Sequence, residues 1–286
     1  MRAAVIGSTG QLGQDLMRAF GEETVGLTHQ ELDVTDGVGV ASAMRSLRPD
    51  WVLNTAAFHR VDDCETNPAL AFAANALGAS NVARAAADVG AGVVFYSTDY
   101  VFGGEERERN NPYDEWDSVR PLNVYGVSKA AGEQLVMQAN PRYIVVRSAG
   151  LYGTATSRKG WTFPELMINK AKSDGMVRVV TDQTLSPTFT ADLAWKTREL
   201  VEEDASGLFH LTNAGECSWF EFARAVFDLA RIKVEMEEIE TGETRRRALR
   251  PSYSALTTTR IQEAGLDPLR PWEDALGAYL RAKGLV

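Results

Sequence analysis

The chain has 286 residues, of which 44% are hydrophobic, enough for one large α/β domain or for a large domain with a smaller companion. Its formal charge of −9 argues against nucleic acid as the main partner, because no basic field would attract phosphate groups. No uncharged apolar stretch reaches about 18 residues. The segment before the first glycine is too short for a signal peptide, so we expect a soluble cytoplasmic protein with no membrane partner.

Short apolar runs alternate with helical patterns through the first half of the chain. The runs that predict strands are residues 3–7, 24–27, 51–56, 93–97 and 143–147. The helical patterns between them are residues 12–20, 69–87 and 125–138. Because the runs are almost continuously apolar, they predict parallel strands covered by helices on both faces. The expected fold class is α/β, a Rossmann-like doubly wound parallel sheet.

The pattern becomes less regular after Tyr152. The segments expected there are a polar loop at 154–160, helices at 161–172, 191–202, 219–230 and 272–282, and strands at 177–180 and 208–211. The last strand is expected to return to the main sheet, so the two lobes should be interleaved. We predict a large domain over residues 1–152, rejoined by a segment near 181–215, and a smaller C-terminal lobe that contains most of residues 153–286.

Three glycines follow the first predicted strand. Gly7, Gly10 and Gly13 stand where this strand turns into a helix, in the pattern G-x-x-G-x-x-G. Such glycines permit a tight turn, a close approach of the backbone to a pyrophosphate, and close packing of helix on sheet. Since the exposed N–H groups at the start of the helix bind anions, this turn predicts a dinucleotide site.

The end of the second predicted strand bears on the choice between NADPH and NADH. An NAD-preferring fold usually places a carboxylate there, on the ribose hydroxyls. This chain has Leu27-Thr28-His29-Gln30 before Glu31, so no acid is expected to repel a 2′-phosphate. A neutral Thr28 and a His29 that can become cationic favour NADPH, with NADH as the alternative. His29 is equally well interpreted as an exposed turn residue.

The next residues, Asp33 and Val34, follow the second strand closely enough to border an adenine ring. The alternative is that this segment only starts the next helix. In that case Thr35 or Asp36 caps the helix with its side-chain oxygen.

Tyr125 and Lys129 are four residues apart at the start of a predicted helix. The spacing places the ammonium and the phenol on one face, one turn apart. A cation there favours phenolate, although lowering a phenol pKa from about 10 to near neutrality needs about 4 kcal/mol. A lysine in a partly desolvated cleft, with the positive charge of an oxidised nicotinamide, would supply this. The pair predicts a redox site; the alternative is that the two are only surface neighbours.

The remaining polar features are few. Cys64 and Cys217 have no metal-type spacing and only three histidines occur, so neither a disulfide framework nor a metal site is predicted. Both cysteines are expected to be packing residues. The basic run Arg245-Arg246-Arg247 is either a solvated loop or a loop that faces an anionic ligand.

Longer motifs accompany these residues. Those of the first half are Asn54-Thr55-Ala56-Ala57, Val61-Asp62 with Glu65 and Pro68, Ser97-Thr98-Asp99-Tyr100-Val101-Phe102-Gly103-Gly104, Pro112-Tyr113, Pro121-Leu122-Asn123-Val124-Tyr125-Gly126, Ser128-Lys129 and Ala131-Gly132-Glu133. Those of the second half are Asp182-Gln183, Pro187-Thr188, Gly207-Leu208-Phe209-His210-Leu211 and Arg250-Pro251-Ser252-Tyr253-Ser254-Ala255-Leu256. Together they resemble the dTDP-4-dehydrorhamnose reductases, a family of extended short-chain dehydrogenases/reductases. The resemblance covers essentially the whole chain.

The resemblance implies reduction of the C4 ketone of a nucleotide-activated 4-keto-6-deoxyhexose, most nearly dTDP-4-dehydro-L-rhamnose, by NADPH or NADH. It implies a catalytic triad in which Tyr125 donates the proton, Lys129 supports it and holds the nicotinamide ribose, and Thr98 supplies a hydroxyl. The expected substrate contacts are Thr98, Asp99, Tyr125 and Arg250. Arg250 is a candidate for the diphosphate, with a surface salt bridge as the alternative.

The cofactor contacts come partly from the glycine turn and strand ends and partly from the resemblance. They are Gly7, Gly10, Gln11, Leu12, Gly13, Thr28, Asp33, Val34, Ala57, Phe58, His59, Tyr96, Tyr125 and Lys129. Residues 1–152 are accordingly expected to bind the dinucleotide, and residues 153–286 mainly the sugar nucleotide. A homodimer is a further expectation from the family.

Two departures from the family pattern bear on the substrate. Phe58-His59-Arg60 replaces the residues often seen before Val61-Asp62, and Gly150 stands where some members have a tryptophan. Gly150 is expected to enlarge the pocket. Trp161 or Trp219 would then supply an aromatic face, or else pack in a core.

Two other functions fit the same motifs. One is a sugar-nucleotide epimerase or dehydratase of the same fold, which uses a similar triad. The other is a non-catalytic regulatory subunit that binds NAD(P). Net consumption of NADPH distinguishes a reductase from an epimerase, and intact Thr98, Tyr125 and Lys129 argue against the regulatory subunit.

Overall fold

The computed structural model describes residues 1–105, 109–155 and 160–286. The strands are β1 (Ala3–Ile6), β2 (Val25–Leu27), β3 (Trp51–Asn54), β4 (Gly92–Tyr96), β5 (Tyr143–Arg147), β6 (Leu151–Tyr152), β7 (Met176–Val180), β8 (Thr184–Leu185), β9 (Thr188–Phe189), β10 (Gly207–His210), β11 (Asn213–Ala214), β12 (Cys217–Ser218), β13 (Glu235–Ile239) and β14 (Leu269–Pro271). Residues 156–159 of the expected polar loop lie outside the described residues.

The α-helices are distributed through both lobes. They are α1 (Gln11–Phe20), α2 (Gly37–Leu47), α3 (Val61–Thr66), α4 (Pro68–Phe72), α5 (Ala79–Asp88), α6 (Val124–Ala139), α7 (Phe163–Asp174), α8 (Thr190–Glu202), α9 (Trp219–Ala230), α10 (Thr259–Glu263) and α11 (Trp272–Ala282). A π-helical segment, Ala73–Gly78, joins α4 to α5, and Asp99–Val101 is a turn of 3₁₀ helix.

The main sheet has six parallel strands in the order β2-β1-β3-β4-β5-β10. The chain passes from β1 to β2 on one side and then to β3 on the other, so the strand order reverses between β1 and β3. Ligands of doubly wound sheets bind at such a reversal, outside the carboxyl ends of the strands. The predicted α/β fold class is confirmed.

Alternate side chains of each strand pack against helices on opposite faces of the sheet. Val5 belongs to the core beneath α1 and α8, whereas Ile6 belongs to the core beneath α2, α5 and α6. Each fully buried aliphatic side chain of this size contributes roughly 1.5–3 kcal/mol. Burial on both faces is why the strands are continuously apolar in sequence.

The second lobe has its own aromatic core between α7, α9 and α11. Phe222 of α9 lies between Tyr152, Phe163 and Trp272, with ring centroids 5.4–5.6 Å apart. Capping boxes start two of the helices, Thr162 with Glu165 on α7 and Ser218 with Glu221 on α9. In the parts of the chain that the structure describes, every helix is too short or too polar to span a bilayer.

The two lobes are interleaved along the chain. After β5 the chain leaves the main sheet, and its next strand, β6, pairs with β9. The chain then returns, because α8 packs against α1 and β10 pairs in parallel with β5. The strand expected at residues 208–211 is thus β10, Gly207–His210, and it does return to the main sheet.

Two local features differ from the sequence expectations. The expected helix over residues 69–87 is divided by the π-helical segment Ala73–Gly78. Strand β13 was not expected, because its sequence Glu-Met-Glu-Glu-Ile is acidic. It forms through its parallel pairing with β7, a contact distant in sequence.

Candidate active site

The glycine turn connects β1 to α1 at the point where the strand order reverses. Gly7 has φ +82°, a left-handed conformation that favours glycine, and its N–H donates to the Leu27 carbonyl at 2.8 Å. A Cβ atom on Gly13 would lie 2.2 Å from the Gly7 carbonyl oxygen. Gly10 is the N-cap residue of α1 and has no side chain to occupy the helix start. This cradle therefore fits the pyrophosphate of a dinucleotide.

The two residues after Gly10 are engaged by the protein itself. Gln11 Nε2 donates to the Ala155 carbonyl at 3.3 Å, which ties the turn to the chain that enters the second lobe. The Leu12 side chain is buried in the main core. These residues therefore contribute their backbone N–H groups, which belong to the first turn of α1, to the helix start.

The end of β2 differs from the sequence expectation, because an acid does lie there. Glu31 folds back, and its Oε2 accepts a 2.8 Å hydrogen bond from the Thr28 N–H. Hydrogen bonds from Thr28 lower the pKa of Glu31, so this exposed carboxylate is charged at neutral pH. The expectation of a strand end without an acid is therefore wrong, because sequence spacing did not reveal the turn over residues 28–31.

The following segment forms a turn and then starts α2. Asp33 Oδ1 accepts hydrogen bonds from the N–H and the hydroxyl of Thr35, which lower the pKa of Asp33, and the exposed His29 lowers it further. Asp36 caps α2, as the alternative interpretation predicted. Val34 is buried, and its carbonyl accepts from the Asn81 amide at 3.0 Å.

A fully buried asparagine that sequence reasoning missed holds the loop after β3. Asn75 Oδ1 accepts from the Phe58 N–H at 2.8 Å, and Asn75 Nδ2 donates to the Phe58 carbonyl at 3.1 Å. Its Nδ2 also donates to Ser128 Oγ at 2.9 Å. The Phe58 backbone is thereby connected through Asn75 to Ser128 of α6. The signal in the sequence is a polar residue inside an alanine-rich helix, and π-helical segments such as this one often occur at functional sites.

The two hydroxyl-bearing residues of the expected triad lie together. Asn123 caps α6 by accepting from the Gly126 N–H, so Tyr125 lies in the first turn of that helix. The Thr98 hydroxyl follows β4, and its interaction with the Tyr125 phenol lowers the pKa of that phenol against the effect of burial. Tyr100 meets the Tyr125 ring edge-on at 6.2 Å. Because β1 and β4 end on the same side of a parallel sheet, this pair and the glycine turn share one edge.

Lys129 lies one turn further along α6 and is 1% exposed. Its Nζ donates to the Tyr96 carbonyl at 2.6 Å and stands 3.9 Å from the centre of the Phe95 ring. Burial lowers the pKa of Lys129 to about 7, while the Glu133 carboxylate acts in the opposite direction. The Tyr96 side chain itself is part of the main core, so its carbonyl makes the contact.

The pKa of Tyr125 is raised in the structure, whereas the sequence predicted that it would be lowered. Burial raises this pKa, a hydrogen bond with Thr98 lowers it, and the Asp99 carboxylate raises it further. In the protein alone, desolvation of the phenolate is thus the largest effect on this pKa. The phenol is therefore a protonated group at neutral pH.

A buried ionic network behind Lys129 was also missed from the sequence. Arg147 of β5 forms a bidentate pair with Glu133 of α6, at 2.9 and 2.7 Å. The Ser97 hydroxyl donates to the same carboxylate at 2.5 Å. The network connects the ends of β4 and β5 to α6, and thereby supports the backbone on which Thr98 and Lys129 are placed.

Arg250 lies near the pair but its guanidinium is already occupied. Its Nη2 pairs with Asp62 at 3.0 Å, its Nη1 donates to the Ala248 carbonyl at 3.3 Å, and its side chain is 8% exposed. It also lies 5.8 Å from the Tyr100 ring centre. The salt-bridge alternative describes its contacts, with Arg250 buried and Asp62 42% exposed. Residues 245–247, in contrast, are exposed.

The glycine that replaces a tryptophan is constrained. Gly150 has φ +52°, and a Cβ atom there would lie 2.6 Å from Leu185 Cδ1. Leu185 therefore occupies the space beside Gly150. Trp219 packs on Phe163 at 4.5 Å within the second lobe, whereas Trp161 is 58% exposed.

Comparison with known proteins identifies the family. The family model described as RmlD substrate binding domain matches residues 1–284. The chain belongs to this family. The resemblance derived from the motifs is thus confirmed at the level of the family.

RmlD-family relatives match over nearly full length. The dTDP-4-dehydrorhamnose reductase of Mycolicibacterium smegmatis is 39% identical over 282 residues, covering 96% of this chain and 84% of the relative. The dTDP-4-keto-6-deoxy-D-glucose reductase of Streptomyces niveus is 38% identical, covering 96% and 95%. A crystal structure of dTDP-4-dehydrorhamnose reductase from Bacillus anthracis in complex with NADP has a TM-score of 0.93 at 36% identity, covering 98% and 99%.

Proposed function

We propose that this RmlD-family protein is an oxidoreductase that uses NADPH to reduce the C4 ketone of dTDP-4-dehydro-L-rhamnose, forming dTDP-L-rhamnose. The observation that carries the proposal is the packing of Tyr125, in the first turn of α6, on the turn that Thr98 starts after β4, at the sheet edge that also bears the glycine turn. Lys129 lies in the next turn of the same helix. The reductase names of the relatives supply the substrate class.

The chemistry requires a hydride at C4 and a proton at O4. When bound, NADPH supplies the hydride. Tyr125 donates the proton, since its raised pKa keeps the phenol protonated at neutral pH. Donors aimed at O4 stabilise the alkoxide-like transition state more than the ketone. Lys129, held by the Tyr96 carbonyl, limits the cost of a negative charge on Tyr125 after proton transfer.

Cofactor binding is assigned to the turns at the ends of β1, β2, β3 and β4. The proposed contacts are the backbone of Gly7, Gly10, Gln11, Leu12 and Gly13, with Thr28, Asp33, Val34, Ala57, Phe58, His59, Tyr96, Tyr125 and Lys129. The proposed sugar-nucleotide contacts are Thr98, Asp99, Tyr125 and Arg250. Since Asp62 already pairs with Arg250, we propose that this arginine shapes the nucleotide side of the pocket through that pair.

The wider organisation is proposed on the same basis. Residues 1–152, with residues near 181–215, bind the dinucleotide, and residues 153–286 bind mainly the sugar nucleotide. We also propose a cytoplasmic location, because NADPH and nucleotide sugars are cytoplasmic metabolites. A homodimer stays a prediction from the family.

The test is to follow NADPH absorbance with a panel of dTDP-, UDP- and GDP-linked 4-keto-6-deoxyhexoses and to determine the product stereochemistry at C4. Stoichiometric NADPH oxidation with dTDP-4-dehydro-L-rhamnose, giving dTDP-L-rhamnose, is expected. Faster turnover of the 6-deoxy-D-glucose substrate would change the assigned sugar. Sugar conversion without net NADPH oxidation would indicate an epimerase, and binding without turnover a regulatory subunit.

A further inference from the structure

A chain of hydrogen bonds joins the second lobe to Tyr125. Ser254 Oγ donates to Asp99 Oδ2 at 2.6 Å, and Thr98 Oγ1 donates to Asp99 Oδ1 at 3.0 Å. Thr98 starts the turn that packs on Tyr125, and the interaction of its hydroxyl with the Tyr125 phenol lowers the pKa of that phenol. Ser254, Asp99 and Thr98 are 3%, 4% and 6% exposed, so water does not replace these contacts.

Backbone hydrogen bonds hold both Ser254 and Asp99 in place. The Ser254 N–H donates to the Thr184 carbonyl at 2.8 Å, and the Asp99 N–H donates to the Ser148 carbonyl at 3.0 Å. The Tyr100 N–H donates to Thr98 Oγ1 at 3.2 Å. Both carboxylate oxygens of Asp99 therefore accept hydrogen bonds within the protein, a geometry that positions the Thr98 side chain.

The Thr98 hydroxyl has only one hydrogen, and its direction depends on Asp99. An ionised carboxylate can only accept, so Thr98 donates to it and presents lone pairs to Tyr125 and to a reacting oxygen. A protonated carboxyl, still accepting from Ser254 at Oδ2, donates from Oδ1 to Thr98. The Thr98 hydrogen is then released toward the active site.

We propose that Asp99, held by Ser254, is a positioning residue that determines whether the Thr98 hydroxyl donates toward the reacting oxygen. This rests on the reductase function proposed above. With Thr98 released, two donors rather than one stabilise the charge that develops on O4, so turnover is faster when Asp99 carries the proton. Ser254 opposes this state, because its hydrogen bond favours the ionised carboxyl.

Both the ionised and the protonated form of the Asp99 carboxyl are accessible near neutral pH. Burial raises the pKa of Asp99 to about 6, and the hydrogen bonds from Ser254 and Thr98 oppose that rise. The other ionisable groups that face this pocket are Tyr125 and Lys129 of α6, Tyr100 of the same turn, Asp62 and Cys64 of α3, and Arg246 and Arg250 of the loop before Ser254. Among these, Lys129 also titrates near pH 7, but it has no contact with Ser254 among the described hydrogen bonds.

The experiment compares Ser254→Ala, Ser254→Thr and Asp99→Asn. The first change removes a hydrogen bond to the ionised carboxyl, so the Asp99 titration and the matching transition in kcat should move up by about one pH unit. Ser254→Thr keeps the hydroxyl and should keep the wild-type midpoint. The amide of Asp99→Asn accepts from Ser254 and donates to Thr98, so this variant should lose the transition and exceed wild-type kcat at pH 8 by about tenfold.

Two readouts separate this proposal from the proposed function. Carbon-13 NMR of the Asp99 carboxyl reports its titration without any turnover, and NADPH oxidation reports kcat and KM. An unchanged Asp99 midpoint in Ser254→Ala, or a wild-type transition in Asp99→Asn, would overturn the relay. A shifted NMR midpoint in a protein that oxidises no NADPH would support the Ser254–Asp99 contact and reject the reductase. If Ser254→Ala does not fold, the pH profile of Asp99→Asn decides.

Discussion

The side-chain nitrogen of Lys129 donates a 2.6 Å hydrogen bond to the backbone carbonyl of Tyr96. This contact joins the helix that bears Tyr125 to the end of the strand that precedes Thr98. The lysine is thereby a buried link between two elements of the proposed triad. Because Lys129 is buried, desolvation lowers the pKa of its ammonium and so disfavours its charged form in the folded protein.

Replacement of Tyr125 by phenylalanine should lower kcat by about two to four orders of magnitude, the usual contribution of a positioned acid. The aromatic ring remains, so its packing on Tyr100 is kept and NADPH affinity should change little. We expect greatly slowed NADPH oxidation together with an unchanged dissociation constant for NADPH in a fluorescence titration. Full turnover in this variant would remove Tyr125 from the mechanism.

Replacement of Lys129 should separate function from stability. Lys129→Met fills a similar space without charge, and it should lower both kcat and NADPH affinity, because one ammonium is proposed for two contacts. Since the pKa of Lys129 falls from 10.5 to about 7 on folding, protonation opposes folding below about pH 10. Urea unfolding at pH 7 should therefore give a variant at least as stable as wild type. A less stable variant would contradict the burial argument, and unchanged NADPH affinity would contradict the second contact.

Glu31→Gln should increase the preference for NADPH over NADH. If NADPH binds as proposed, the carboxylate at the Thr28 N–H would repel a 2′-phosphate near the end of β2, and glutamine keeps the acceptor oxygen without the charge. We expect the ratio of kcat/KM for the two cofactors to rise roughly two- to fivefold, since exposed charges interact weakly. Glu22→Gln, which removes an exposed charge elsewhere, is the matched control. Equal ratios in the two variants would place the 2′-phosphate away from Glu31.

The buried His210 should make the protein sensitive to acid. Burial and the nearby Arg147 lower its pKa to about 3, against about 6.5 in the unfolded chain. The unfolded state therefore binds a proton first, and stability is lost as pH falls from about 6.5 toward 3. This group alone accounts for about 4 kcal/mol between pH 7 and pH 3.5.

His210→Asn tests this assignment, because its amide can still donate to the Tyr113 and Thr257 carbonyls that His210 Nδ1 approaches at 3.2 and 3.1 Å. Urea unfolding at a series of pH values should give a shallower loss of stability in the variant. Parallel curves for the two proteins would mean that other groups cause the acid sensitivity.

Much of the fold follows from local patterns in the sequence. The apolar runs and the glycines after β1 predict the parallel sheet, because strands buried on both faces need apolar residues at every position. The spacing of Tyr125 and Lys129 likewise follows from helix geometry. The π-helical break at Ala73–Gly78 and the acidic strand β13 were not predictable in this way, since both depend on partners distant in sequence.

For the candidate active site, too, some features follow from the sequence and others depend on the fold. The amino-acid sequence was sufficient to identify the chemical groups: the glycine turn, Thr98, Tyr125 and Lys129. Their electrostatics depend on the fold, because a pKa is set by burial and by neighbours far along the chain. Lys129 is buried beneath the Tyr96 carbonyl, Glu31 returns to Thr28, and Ser254 crosses from the second lobe to Asp99. Desolvation and long-range hydrogen bonds act only after the chain has brought these groups together.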